Sequence, residues 1–193
     1  MLNSTGGGNI ARKMGGALEA WRPVRFRAIR ESRKALARVR EESDPEEVIR
    51  RIHEVPDSIF PDFVIEVLLG YGFSVHRLPR FDAIRKPHAE VEMMGSRFLI
   101  QIEENVPDRM RGRHQAVTIN ALAENCEQSG KRGIYVAQDP TLCPNLIRQA
   151  GEDKDGSSIA GIHKPEVADL ILGRCVNDPA TGRALIDRKG GGR

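Results

Sequence analysis

Two runs of alternating polar and apolar residues, meeting at Gly95–Ser96, constrain this chain more than any other feature: HAEVEMMGSRFLIQIE, residues 88–103. A period of two marks a strand with one buried face, and a two-residue turn that starts with glycine suits a type II′ hairpin. With Gly95–Ser96 as the turn, Met94 faces Arg97, Glu92 faces Leu99, Glu90 faces Gln101 and His88 faces Glu103. Directly opposed residues share a face of the sheet. One face is then Ala89, Val91, Met93, Phe98, Ile100 and Ile102, all apolar, and other elements must cover it. The second face carries His88, Glu90, Glu92, Leu99, Gln101 and Glu103.

The flanking sequence supplies those elements. Asp44–Pro45–Glu46–Glu47 is a helix start, with Asp44 as N-cap, proline at the first helical position and Glu47 closing a capping box. Val48, Ile49 and Ile52 form its buried face. Phe60, Phe63, Val64, Val67 and Leu68 repeat at helical spacing in a second helix that ends at Gly70 and Gly72. Phe73–Leu78 alternates as a strand, and 79–87 is a charged loop. After the hairpin the pattern gives a long helix over 108–129, a buried strand over 132–137, a helix over 141–150, a polar loop over 151–158, a strand over 159–162 and a helix over 165–172. Hairpin-linked strands followed by helical crossovers predict an α/β fold, a mixed central sheet flanked by helices. The domain is expected over 44–175, behind a flexible N-terminus and Arg-rich helical arm (1–43) and ahead of a C-terminal tail (176–193).

Charge is local. Residues 21–40 (WRPVRFRAIRESRKALARVR) hold eight Arg or Lys and one acid, a net of +7, while the whole chain is +3 and the remainder −4. Such a stretch argues for a polyanionic partner more than a mildly high pI does. Arg22, Arg25, Arg27, Arg30, Arg33 and Lys34 are the expected nucleic-acid contacts, with Trp21 and Phe26 placed to stack on or wedge between bases. Two other readings stay open: binding to a membrane surface, or a solvated helix that packs one apolar stripe (Ala28, Ile29, Ala35, Leu36, Val39) on the domain or a partner subunit. Cys126, Cys143 and Cys175 are odd in number and widely spaced. They fit buried thiols in a reducing, cytoplasmic setting rather than disulfides or a zinc site. No apolar run is long enough to span a membrane and the N-terminus lacks the apolar stretch of a secretory signal, so the expected partners include no membrane, with surface binding by the basic helix as the lesser alternative. P-loop, dinucleotide-glycine and nucleophile-elbow patterns are missing.

Carboxyl groups at cross-strand distance repel unless something compensates. Water on an open face, pairing with Arg97, Arg109 or Arg111, or a divalent cation would each serve. His88, at a strand start beside Pro87, is a metal or phosphate ligand in the last case and a surface residue otherwise. His114 and Arg113 are candidates for the same cleft.

The order helix, three strands, helix, strand, together with FPDFVIEVLLGYGFSV, HAEVEMMGSRFLIQIEEN and KRGIYVAQDPTLCPNLIRQA, resembles the PD-(D/E)xK nucleases, most of all the catalytic domain of Mrr-type restriction endonucleases. The similar stretch covers about residues 58–150. The resemblance implies a restriction-endonuclease-like core (αβββαβ), a Mg²⁺ ion and a DNA partner; the sequence leaves the oligomeric state open, a homodimer being one candidate. It places Glu90 at the first metal-binding acid, Gln101 at the acid or glutamine position and Glu103 where the family carries lysine. Glu66, on the first helix, falls near an acid that some members use. Glu90, Gln101 and Glu103 are then the expected catalytic residues, and Glu66, Glu90 and Glu103 the metal ligands. Glutamate at 103 cannot supply the positive charge that lysine brings to the phosphate. Two functions follow: a divergent metal-dependent DNA endonuclease, or a catalytically inactive nucleic-acid-binding or assembly module on the same fold. A third, from outside the resemblance, is an α/β interaction protein whose acidic strand face is merely solvated.

Overall fold

A computed structural model describes residues 25–79, 85–93, 95–104, 106–138, 159–177 and 184–186. Helical backbone runs through residues 25–40 (α1). It is followed by α2 (Pro45–His53), α3 (Phe60–Gly70), β1 (Ser74–Arg77), β2 (Ala89–Met93), β3 (Ser96–Ile102), α4 (Asp108–Ser129), β4 (Arg132–Val136), β5 (Ile159–Ile162), α5 (Lys164–Ile171), β6 (Val176–Asn177) and β7 (Ala184–Ile186). The first five strands form one mixed sheet in the order β1-β2-β3-β4-β5. β1, β2 and β3 pair antiparallel, and β3, β4 and β5 parallel. The helix expected over 141–150 lies outside the described residues.

The hairpin forms, but its register differs from the expectation. Glu90 pairs with Leu99 and Met93 with Ser96, so the connecting residues are 94 and 95. Gly95 takes the second turn position with φ 76°, a left-handed conformation that glycine adopts without steric cost. The slip is two residues, so every side chain keeps its face, while Glu90 loses Gln101 as its direct neighbour.

The apolar hairpin face is covered as required. Ala89, Val91, Met93, Phe98, Ile100 and Ile102 join Ile134, Val136, Ala160 and Ile162 in a core closed by α1, α2, α3 and α5. Helix α4 covers the other face, where Leu99, Tyr135 and Ile159 meet Ile119, Leu122 and Cys126. Burial among these side chains pushes the Cys126 thiol up to about 11, which keeps it protonated and inert at neutral pH.

Local capping departs from the expectation in one place. Asp44 caps α2 by accepting from the Glu46 N–H at 3.2 Å, but Glu47 turns outward to pair with Arg50 instead of closing a capping box. A carboxylate reaching back to the cap backbone occurs at α5, where Glu166 accepts from the His163 N–H at 2.9 Å.

The ends of the domain also differ. Leu36 and Val39 of α1 lie in the main core, so the basic helix is packed against the domain along one stripe. Beyond 175, Val176 is buried in that core, and β6 pairs antiparallel with β7 in a separate two-stranded ribbon where a tail was expected.

Candidate nucleic-acid surface and the acidic hairpin

The polar hairpin face is closed at one end only: Glu92 is exposed and Glu90 partly so, whereas the Gln101–Glu103 end is covered. Gln101 and Glu103 are each about 2% exposed beneath α4. Glu103, one residue past β3, accepts from Gln115 Nε2 at 2.9 Å and from the Gln138 backbone N–H at 2.6 Å. The Arg111 guanidinium lies 3.7 Å away. The Glu103 backbone N–H donates to the Val136 carbonyl at 2.8 Å, and Gln138 Nε2 donates to the Glu103 carbonyl at 3.3 Å. Glu103 thus knots the carboxyl ends of β3 and β4 to the first turns of α4, and both of its carboxyl oxygens are engaged.

Glu90 sits elsewhere. It faces Leu99, four residues before Glu103, a separation of about 13 Å along the strand. Lys131 Nζ is 2.6 Å from Glu90 Oε2, and an Arg97 nitrogen is 3.9 Å from its other oxygen. The hydrogen bond from Lys131 outweighs desolvation and holds the Glu90 carboxyl below its ordinary value, with the charges of Lys131 and Arg97 adding to the effect. Folding therefore favours the ionised form. Between the depressed folded pKa and the unfolded one the unfolded chain binds more protons, so this contribution is complete above the unfolded value and disappears as pH falls through the folded value. Replacing Glu90 with Gln should flatten the loss of stability below about pH 4.5. An unchanged acid limb in urea unfolding across that range would refute the pairing.

Glu66 lies on the opposite side of the sheet. Arg77 pairs with Ala89 and so shares the face covered by α3, whereas His76 pairs with Glu90. Glu66 accepts from Arg33 at 2.8 Å and from Arg77 at 2.9 Å, and Arg77 also pairs with Asp62. The three expected metal ligands consequently do not meet: two face α4 but stand far apart, and the third lies through the sheet. Among the described residues no group of three or more His, Cys, Asp or Glu is arranged to hold a metal ion. These donors do not fit Mg²⁺, which needs carboxylate oxygens at one point. Since Glu66 balances two arginines, Glu66→Gln should destabilise the fold by about 1–2 kcal/mol. The midpoint of unfolding should stay the same with Mg²⁺ or EDTA, whereas a magnesium-dependent midpoint would restore the metal site.

The basic helix is where the charge is available. Trp21 and Arg22 lie outside the described residues. Arg33 is held by Glu66, and Arg25 lines a cleft at the carboxyl edge of the sheet together with Arg77, His88 and Glu104. Arg27, Arg30, Lys34 and Arg38 are exposed. Their spacing of three, four and four residues keeps them within about 80° around the helix and spreads them over roughly 16 Å of its length. Lys34 bonds Glu31 at 3.1 Å, and Arg27, Arg30 and Arg38 form no ion pair among the described residues. Phe26, next to this stripe, is 70% exposed.

His88 is fully engaged. Its Nδ1 accepts from the Ile102 N–H at 3.0 Å, which leaves the ring proton on Nε2, 3.7 Å from Glu104 Oε1. Sequence reading missed two residues. Arg38 belongs to the stripe by the same spacing that marks Arg30 and Lys34, a signal present in the sequence. Lys131 is 41 residues from Glu90, and only the parallel pairing of β3 with β4 brings it near. Compared with protein-family models, curated proteins and solved structures, the chain gave no match.

Proposed function

We propose that this protein is a nucleic-acid-binding module without phosphodiesterase activity, built on an α/β domain of the restriction-endonuclease-like kind. The observation that carries this reading is the stripe Arg27, Arg30, Lys34 and Arg38 on a helix whose other side is fixed in the core. Exposed cations aligned along one line, three of them without an ion pair among the described residues and Lys34 paired only with Glu31 of the same helix, match the repeating charge of a phosphate backbone. The order α3, β1, β2, β3, α4, β4 supports the likeness to that nuclease core. The acids do not support its chemistry, since each is held by a basic or amide partner and Glu66 lies across the sheet from Glu90.

Binding should weaken steeply with salt. Each neutralised phosphate contributes about 0.7 to 0.9 to the slope of log K against log salt. Changing Arg27, Arg30 and Arg38 together to alanine should lower that slope by roughly 2 to 3. These side chains are exposed, so the fold should survive the change. An unchanged slope would place binding elsewhere, and no binding by the wild type at low salt would remove the reading. Plasmid incubated with the protein and Mg²⁺ or Mn²⁺ should stay intact. Nicking that Glu90→Ala abolishes would reinstate the endonuclease alternative.

A further inference from the structure

We infer that the strand recognised by α1 is single-stranded, with its bases unstacked onto the two flanks of the helix. This deepens the nucleic-acid reading above and rests on it. The cations Arg27, Lys34 and Arg38 form the rim of a groove of about 490 Å³ between α1 and the turn that leads into α3. Its apolar lining is Ala28, Ala35, Pro56 and Ile59, and Glu31 and Ser58 complete the wall. A second, smaller hollow of about 110 Å³ shares Ala35, Arg38 and Pro56 and continues toward Val39 and Val55. On the other flank of the same crest, Phe26 stands one turn before Arg30 with 70% of its surface open.

A lone exposed aromatic ring is ordinary on a protein surface, but an open ring on one flank and an apolar-lined groove on the other flank of the same cationic crest suit a ligand that carries both charge and flat apolar faces. Phosphates on the crest and base planes on the flanks satisfy both at once. A duplex offers the phosphates but keeps its base faces stacked inside, so it can neither fill the groove nor cover Phe26. A single strand offers both, and stacking on an aromatic ring is indifferent to base identity. The acids that line the groove and its extension are Glu31, balanced by Lys34, and Glu54, balanced by Arg50 and Arg51.

The test is fluorescence anisotropy with the full chain, using an oligothymidylate, a duplex of the same charge, and polyglutamate as competitor. The single strand is expected to bind at least tenfold more tightly than the duplex. Phe26→Ala should weaken the single strand roughly tenfold and leave both the duplex and the salt slope unchanged. Phe26 is exposed, so circular dichroism of this variant should match that of the wild type. Equal binding of strand and duplex, or a Phe26→Ala variant that keeps full affinity, would overturn this inference while leaving the basic stripe as a duplex contact. Polyglutamate that displaces the strand at equal charge would assign the groove to an acidic peptide and also overturn it. If neither oligonucleotide binds at low salt, the broader nucleic-acid reading fails as well.

Discussion

Changing Glu103 to alanine is expected to destabilise the fold by about 3 kcal/mol. The carboxyl group accepts from Gln115, itself 0% exposed, and from the Gln138 backbone N–H, and it lies beside Arg111. Removing it strands two donors beneath α4 and leaves a guanidinium without its nearest deep acceptor. Each buried donor left unsatisfied costs about 1–3 kcal/mol, and the space vacated adds a cavity. Glu103→Gln, which keeps an acceptor and the volume, should cost about half as much. Urea denaturation of both variants at neutral pH measures the pair. A Glu103→Ala protein within 0.5 kcal/mol of the wild type, roughly the scatter expected of a surface site, would mean that this face is solvated. A Glu103→Ala protein more stable than the wild type would point the other way, to a strained carboxyl kept for chemistry.

Gly133→Val should produce the second large effect. A β-carbon at this position would lie 2.9 Å from Cys126 Sγ, 3.1 Å from Ile159 Cγ1 and 3.2 Å from Leu122 Cγ. All three neighbours are buried in the α4 side of the core, so none can swing into solvent. Glycine here lets α4 approach the sheet, and any side chain must push helix and strands apart. Overpacking of this kind typically costs 1–3 kcal/mol, and valine, with two further methyl groups, belongs at about 3 kcal/mol. Alanine should cost about 1–2 kcal/mol, part of the clash being offset by the smaller backbone entropy lost on folding. Cys126→Ala would remove the tightest neighbour, so Gly133→Ala in that background should cost at least 1 kcal/mol less than in the wild type. Additive costs in the double-mutant cycle would show that sulfur is not the obstacle.

Much of the fold was legible because the hairpin alternates and its flanking helices repeat at 3.6 residues. The strand and helix positions over 45–77 and 89–136 follow from those periods and from the proline and glycine boundaries. The register was not, because turn chemistry points to Gly95–Ser96 as the turn, whereas the glycine serves its second position. Both registers leave the same residues on the apolar face, so hydrophobic pattern could not separate them. The cover on the polar face was also hidden. Helix α4 shows weak amphipathicity because it meets the sheet partly through Gln115 and Thr118, and polar residues at core positions blur the periodic signal.

The candidate site was legible in part. Charge counting located the stripe on α1, and helical spacing extends it to Arg38. Charge alone could not show that Arg33 is engaged by an acid 33 residues away in sequence. The grouping of Glu66, Glu90 and Glu103 came from resemblance, and their actual partners are set by pairings of distant segments: Arg33 with Glu66, Lys131 with Glu90 and Gln115 with Glu103. No local window of sequence contains that information.

The link from Arg33 through Glu66 to Arg77 has a consequence for how encounters proceed. It clamps the basic helix to the first strand, so the platform's shape is fixed before any ligand arrives. For the single strand proposed above, the loss of conformational freedom would then fall on the incoming chain alone, and a limp polymer can mould itself to such a template where a stiff one cannot. Loosening the clamp should then slow capture more than it hastens release, because a wandering helix must first find its seat.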